Sequence, residues 1–180
     1  MQMNEVQHVP ASQEKVWAGL NDPAILKNCI PGCQSLEMTS ATEMTAVVVV
    51  KVGPVKATFN GKVSLSDLDP PNGYRISGEG SGGVAGFAKG GAAVTLKAEG
   101  PDTTNLHYTV DAQIGGKLAQ LGARLIDSTA KKLAGEFFQN FAKALTEPAP
   151  EAVVAEAPLA AEAETPPPEE KKGWLKRLIS

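Results

Sequence analysis

Residues 117–145 read KLAQLGARLIDSTAKKLAGEFFQNFAKAL. Leu118, Leu121, Leu125, Thr129, Leu133, Phe137, Phe141 and Leu145 recur there at intervals of three or four. Lys117, Gln120, Asp127, Lys131, Glu136 and Lys143 fall on the opposite side. The spacing predicts one amphipathic helix of about 29 residues, roughly 43 Å long at 1.5 Å per residue. A helix with one broad apolar face needs an apolar surface to lie on.

That surface is upstream. From Gln34 to Ile114 the apolar period is two. Met44, Ala46, Val48, Val50 and Val52 share one parity; Val55, Ala57, Phe59, Val63 and Leu65 alternate with Lys56, Thr58, Asn60, Lys62 and Ser64. Tyr74 and Ile76, then Val94, Leu96 and Ala98, then Leu106, Tyr108, Val110 and Ala112 continue the pattern. Gly53-Pro54, Pro71-Asn72-Gly73 and Gly100-Pro101-Asp102 supply the turns. Residues 2–10 add a first strand whose inward face is ambiguous, because Val6 and Val9 have opposite parity. Two short helices follow it. One is capped by Ser12 and carries Val16, Trp17 and Leu20. The other starts at Asp22-Pro23, buries Ile25, Leu26, Cys29 and Ile30, and ends at Pro31-Gly32. The expected class is α+β: a curved antiparallel sheet of about seven strands gripping a long C-terminal helix, in a domain spanning 1–146.

Composition changes after Thr146. Residues 147–170 hold seven Glu, six Pro and no basic residue, which reads as a disordered acidic linker. Residues 171–180 then reverse the charge. As a helix they set Trp174, Leu175, Leu178 and Ile179 against Lys171, Lys172, Lys176 and Arg177, the pattern of a reversible anchor on an anionic membrane surface. The same anchors could instead enter a groove on a partner protein. Residues 1–146 carry 13 Lys/Arg and 13 Asp/Glu. A neutral domain without a basic face argues against nucleic acid, where phosphate neutralisation dominates. The start of the chain lacks a signal-peptide pattern, and no apolar run approaches ~20 residues. The expected location is cytoplasmic, peripherally attached to the inner face of the cell membrane.

Two motifs resemble a known family. Cys29-Ile30-Pro31-Gly32-Cys33, after Asn21-Asp22-Pro23, and Leu118–Ile126 with Phe137-Phe138 and Phe141 following, are similar to the G-subunit family of carbon monoxide dehydrogenase. The resemblance covers about 1–146. It implies the START-like helix-grip fold (the SRPBCC superfamily), an apolar ligand held between sheet and helix, and an accessory role beside a molybdenum-containing hydroxylase of the carbon monoxide dehydrogenase type. It transfers no catalytic residue.

Small inward residues (Ala46, Ala57, Gly61, Ala98, Ala112) leave space beneath the helix, so a pocket is expected. Val48, Phe59, Leu96, Tyr108, Leu121 and Leu125 are its candidate lining, with Tyr74 and Tyr108 as polar handles. A fully packed core is the competing expectation. Gly78–Gly83 formally matches GxGxxG, but a strand follows where phosphate binding needs a helix. The stretch 78–91 reads instead as a mobile hairpin whose Val84 and Phe87 gate the pocket or touch a partner. Cys29 and Cys33, with only His8 and His107 in the chain, are too few for a zinc site and read as packing residues. No nucleophile–base arrangement stands out. The sequence thus points to a non-enzymatic carrier of a lipophilic ligand with no covalently bound cofactor; the resemblance, taken with the membrane anchor, implies that the ligand is a respiratory quinone. The alternative is a ligand-free adaptor that recruits or helps assemble the hydroxylase at the membrane.

Overall fold

The computed structural model describes residues 1–146. The linker 147–170 and the anchor residues Lys171, Lys172, Trp174, Leu175, Lys176, Arg177, Leu178 and Ile179 lie outside it.

Seven antiparallel strands form one sheet: β1 (Gln2–Val9), β2 (Cys33–Met38), β3 (Glu43–Val52), β4 (Val55–Asp69), β5 (Gly73–Ser81), β6 (Phe87–Gly100) and β7 (Thr103–Gly115). The order is β1-β7-β6-β5-β4-β3-β2, so strands two to seven form a meander and the first strand returns beside the last. Between β1 and β2 lie α1 (Gln13–Leu20) and α2 (Pro23–Cys29). The Ser12 hydroxyl accepts the Lys15 amide at 3.3 Å, and the Asp22 carboxylate accepts those of Ala24 and Ile25 at 2.9 and 3.4 Å. These satisfy amides that a helix start leaves open.

Register resolves the first strand. Met3 pairs with Val110, Glu5 with Tyr108, Gln7 with Leu106 and Val9 with Thr104. The odd positions therefore face inward, and Val6 lies outside, 44% exposed. The inward face of β1 is half polar, which is why alternation alone could not assign it.

The closing helix differs from the predicted rod. Gly116–Leu121 form a 3₁₀ segment, and α3 runs from Ala123 to Thr146, 24 residues. Gly122 separates them at φ +96°, a conformation that breaks an α-helix and suits glycine. Leu118 and Leu121 thus belong to a three-residue-per-turn segment, whose spacing imitates the helical one over so short a length. The last turns of α3 are the best anchored. Phe141 is fully buried and Leu145 nearly so; both press on Gly19 of α1, where a Cβ would sit 2.9 Å from Leu145 and 3.1 Å from Phe141. Asn140 Nδ2 donates to the Cys29 carbonyl at 3.1 Å, tying α3 to the end of α2.

The glycine-rich stretch 78–91 is a hairpin, as the sequence predicts. Most of it is strand: Gly78 pairs with Gly90, Gly80 with Ala88, and only Gly82–Gly86 make the tip. There the Gly82 amide donates to the Gly86 carbonyl at 2.8 Å, and Ala85 is buried, as is Leu118 of the neighbouring 3₁₀ segment.

Candidate functional site

Between the sheet and the helices lies an apolar cavity of about 280 Å³. Its floor is the inward face of six strands, β2 to β7, including Met44 and Ala46 of β3, Tyr74 and Ile76 of β5, and Ala92 of β6. Leu20, Leu26 and Ile30 close one side, and Phe137 and Phe138 of α3 form the roof. Every lining side chain is apolar except Tyr74 and Tyr108.

A second, more open cleft of about 390 Å³ shares Ala46, Val63, Ile76 and Ala92 with that cavity and continues along the concave face. Part of its floor lacks side chains, because Gly61, Gly78, Gly80 and Gly90 fall on the inward parity of adjacent strands. At Gly61 and Gly80 an added Cβ would meet nothing closer than 3.6 Å. Neighbours do not force those two glycines; what their missing side chains leave is open depth.

The predicted lining divides three ways. Tyr74 and Tyr108 stand on the inner cavity, and Val48 and Phe59 on the outer cleft. Leu96, Leu121 and Leu125 line neither. Leu96 is packed solid at 2% exposure, one step deeper on β6 than the cavity. Leu121 ends the 3₁₀ segment, and Leu125 reaches instead to Gly53 at the β3–β4 turn, where a Cβ would sit 2.8 Å from its Cδ2. The break at Gly122 moves the roof further along α3, to Phe137 and Phe138. Those rings carried the right periodicity, yet periodicity does not say which part of an apolar face meets a void. Val84 is 85% exposed and Phe87 45%, at the tip of the β5–β6 hairpin. The Phe87 ring crowds Gly115, and it is Phe59 that lies over Gly82, a Cβ there coming within 2.8 Å of the ring.

The two tyrosines differ in setting. Tyr74 meets Trp17 of α1 edge-on, centroids 5.5 Å apart, and burial pushes its phenol up to about 12. Tyr108 is raised by burial first and by the Glu5 carboxylate second, with the Gln7 side chain acting in the other direction. Glu5 in turn pairs with Lys131 of α3 at 3.8 Å. Sequence reading missed this polar margin of β1; the odd parity of Glu5 and Gln7 was its only signal. Both phenols are neutral at ordinary pH, and what the two tyrosines give the cavity is chiefly ring carbon, the Tyr108 hydroxyl meeting the Gln7 side chain on the polar margin instead. The thiols of Cys29 and Cys33 are both pushed up by burial, which disfavours a reactive thiolate. Among the described residues no cluster of three or more His, Cys, Asp or Glu is placed to hold a metal. Nor is any helix among them long and apolar enough to cross a membrane.

A curved seven-stranded sheet closed by a C-terminal helix over an apolar chamber is the START-like architecture. Within that class, the chain belongs to the carbon monoxide dehydrogenase G-subunit (CoxG) family, whose model matches residues 6–146. A conserved protein from Geobacillus kaustophilus is 32% identical, with a TM-score of 0.77 over 81% of this chain and 95% of that one. A START superfamily protein from Mycobacterium smegmatis is similar at 18% identity, TM-score 0.57, covering 80% of this chain and 93% of that one. The Zhui aromatase/cyclase from Streptomyces sp. R1128, at 12% identity and TM-score 0.60 over 81% and 93% of the two chains, shares the fold alone. A search of curated proteins finds no match.

Proposed function

We propose that this protein is a non-catalytic carrier of a lipophilic molecule, a respiratory quinone, moving between a molybdenum-containing hydroxylase of the carbon monoxide dehydrogenase type and the cytoplasmic face of the membrane. The observation that carries the reading is the cavity of about 280 Å³ whose wall is almost wholly carbon. That volume falls just short of the usual small-molecule site, about 300–1,000 Å³, and the adjoining cleft extends it. A quinone's ring faces and isoprenoid tail are apolar, matching the carbon walls of the cavity and the adjoining cleft. The family name supports the enzyme partner. Residues 171–180, read as a membrane anchor, support the bilayer as the other terminus.

The test is native mass spectrometry of the full chain after mild purification, followed by titration with a short-chain quinone. One equivalent should bind, and Ala92→Phe, which places a ring where cavity and cleft join, should reject it. A folded wild-type protein that carries nothing and refuses added quinone would leave only the adaptor.

A further inference from the structure

The domain's charges cancel in number but not in space. At one end of the sheet the turns carry Glu43, Asp67, Asp69, Glu99 and Asp102, with Arg75 answering Asp67 at 3.2 Å. At the other end lie the β3–β4 turn, the β5–β6 tip and the 3₁₀ segment leading into α3. Exposed Lys51, Lys56, Lys117 and Arg124 gather there, and none forms an ion pair among the described residues. Lys51 and Lys56 stand directly opposite each other across the β3–β4 hairpin. Like charges so placed repel, and an external anion relieves them. The sequence reading of a domain with no basic face therefore fails: meander topology sends alternate turns to opposite ends and sorts the charges with them.

The same end presents the most exposed large apolar side chain in the domain. Val84 is 85% exposed on a tip held in place by buried Ala85, and Phe87 beside it is 45% exposed. The outer cleft runs toward this end, through Val48, Phe59 and Ala88.

We infer that this basic, apolar-tipped end of the sheet is a docking surface for an anionic lipid bilayer, with Val84 and Phe87 entering the headgroup layer and Lys51, Lys56, Lys117 and Arg124 meeting lipid phosphates. Lysines framing a protruding apolar pair fit a surface that is anionic outside and greasy beneath. The contact is made by the folded domain itself and is separate from residues 171–180. Its purpose, turning the cleft toward the layer that holds a lipophilic cargo, rests on the carrier reading; the contact does not.

The test uses the full chain and needs no cargo. Co-sedimentation with phosphatidylcholine vesicles containing phosphatidylglycerol is compared with pure phosphatidylcholine. Lys51→Ala/Lys56→Ala should weaken partitioning onto the anionic vesicles about fivefold per lysine. Lys97→Ala, at the opposite end, should leave it unchanged. Val84→Trp should add emission that bromine-labelled acyl chains quench. The inference is overturned if the folded double variant partitions like its parent, or if a tryptophan at 84 stays unquenched on bound protein; the basic end would then be left to a protein partner. Loss of quinone binding with these vesicle effects intact would remove the carrier and leave the docking surface.

Discussion

The ring of Phe138 on α3 leans against that of Tyr108 on β7, centroids 5.3 Å apart and planes 30° from parallel. Both rings bound the cavity, so its roof and floor touch through them. Phe137 meets Phe138 edge-on at 5.0 Å and stacks on Phe141 at 5.6 Å. A run of rings thus links the roof to the fully buried Phe141, held in turn against α1. The chamber is closed by the anchored end of the helix.

Truncating that contact separates roof from anchor. Phe138→Ala removes a half-buried ring and should cost about 2–3 kcal/mol, whereas Phe141→Ala, losing a ring with no exposure, should cost about 3–5 kcal/mol. Urea denaturation checks this through the midpoint, with an unchanged slope showing that the denatured state is the same. Phe138→Ala should also admit a bulkier quinone than the parent accepts.

The outer cleft gives a cleaner separation of binding from folding. Gly61→Val adds a side chain to its floor where a Cβ meets only ordinary contacts, at a strand position that favours β-branched residues. Thermal stability should hold or rise, while affinity for a long-tailed quinone falls at least tenfold and a tail-less analogue is barely affected. Equal loss for both ligands would place the tail elsewhere.

Element order, parity and caps were readable because each rests on local rules that agree with one another. Ser12, Asp22-Pro23 and the alternation through β3 and β4 all lead to the observed structure. The cavity was less legible. Parity marked Met44, Val63, Ile76 and Phe137 as inward, yet an inward residue can pack solidly, as Leu96 does, or face a void, as Ile76 does. The choice depends on where α3 crosses the sheet, and that depends on the break at Gly122, hidden inside an unbroken apolar period. Charge sorting was invisible for a similar reason. Lys51 and Lys56 are five residues apart in the chain, but their company with Lys117 and Arg124 exists only once the strands are laid side by side.

Burial of Tyr74 makes stability depend on pH in the alkaline range. Its phenol titrates near 10 when unfolded and about 12 when folded, so between those values the unfolded state holds fewer protons. Stability present below pH 10 is therefore lost as pH rises toward 12, at about 1.4 kcal/mol per unit. Tyr74→Phe removes the ionisation. The variant should lose less stability than the parent between pH 10 and 11 in matched denaturant titrations. Parallel curves would mean that the phenol ionises alike in both states.

Two glycines predict opposite signs for one substitution. Gly135 lies inside α3 with nothing within 4 Å of an added Cβ, so Gly135→Ala should stabilise by about 1 kcal/mol through helix propensity. Gly90 faces the cleft on β6, where a Cβ would run into the Asp111 carbonyl oxygen and come within 2.6 Å of the Ala112 Cα. Backbone cannot swing aside as a long side chain can, so Gly90→Ala should cost about 1–3 kcal/mol as β6 and β7 are pushed apart. Denaturant midpoints of the two variants, measured side by side, read this difference. A Gly90→Ala protein as stable as its parent would show that the β6–β7 pair relaxes freely there, and the depth of the cleft floor would then owe nothing to close backbone approach at that position.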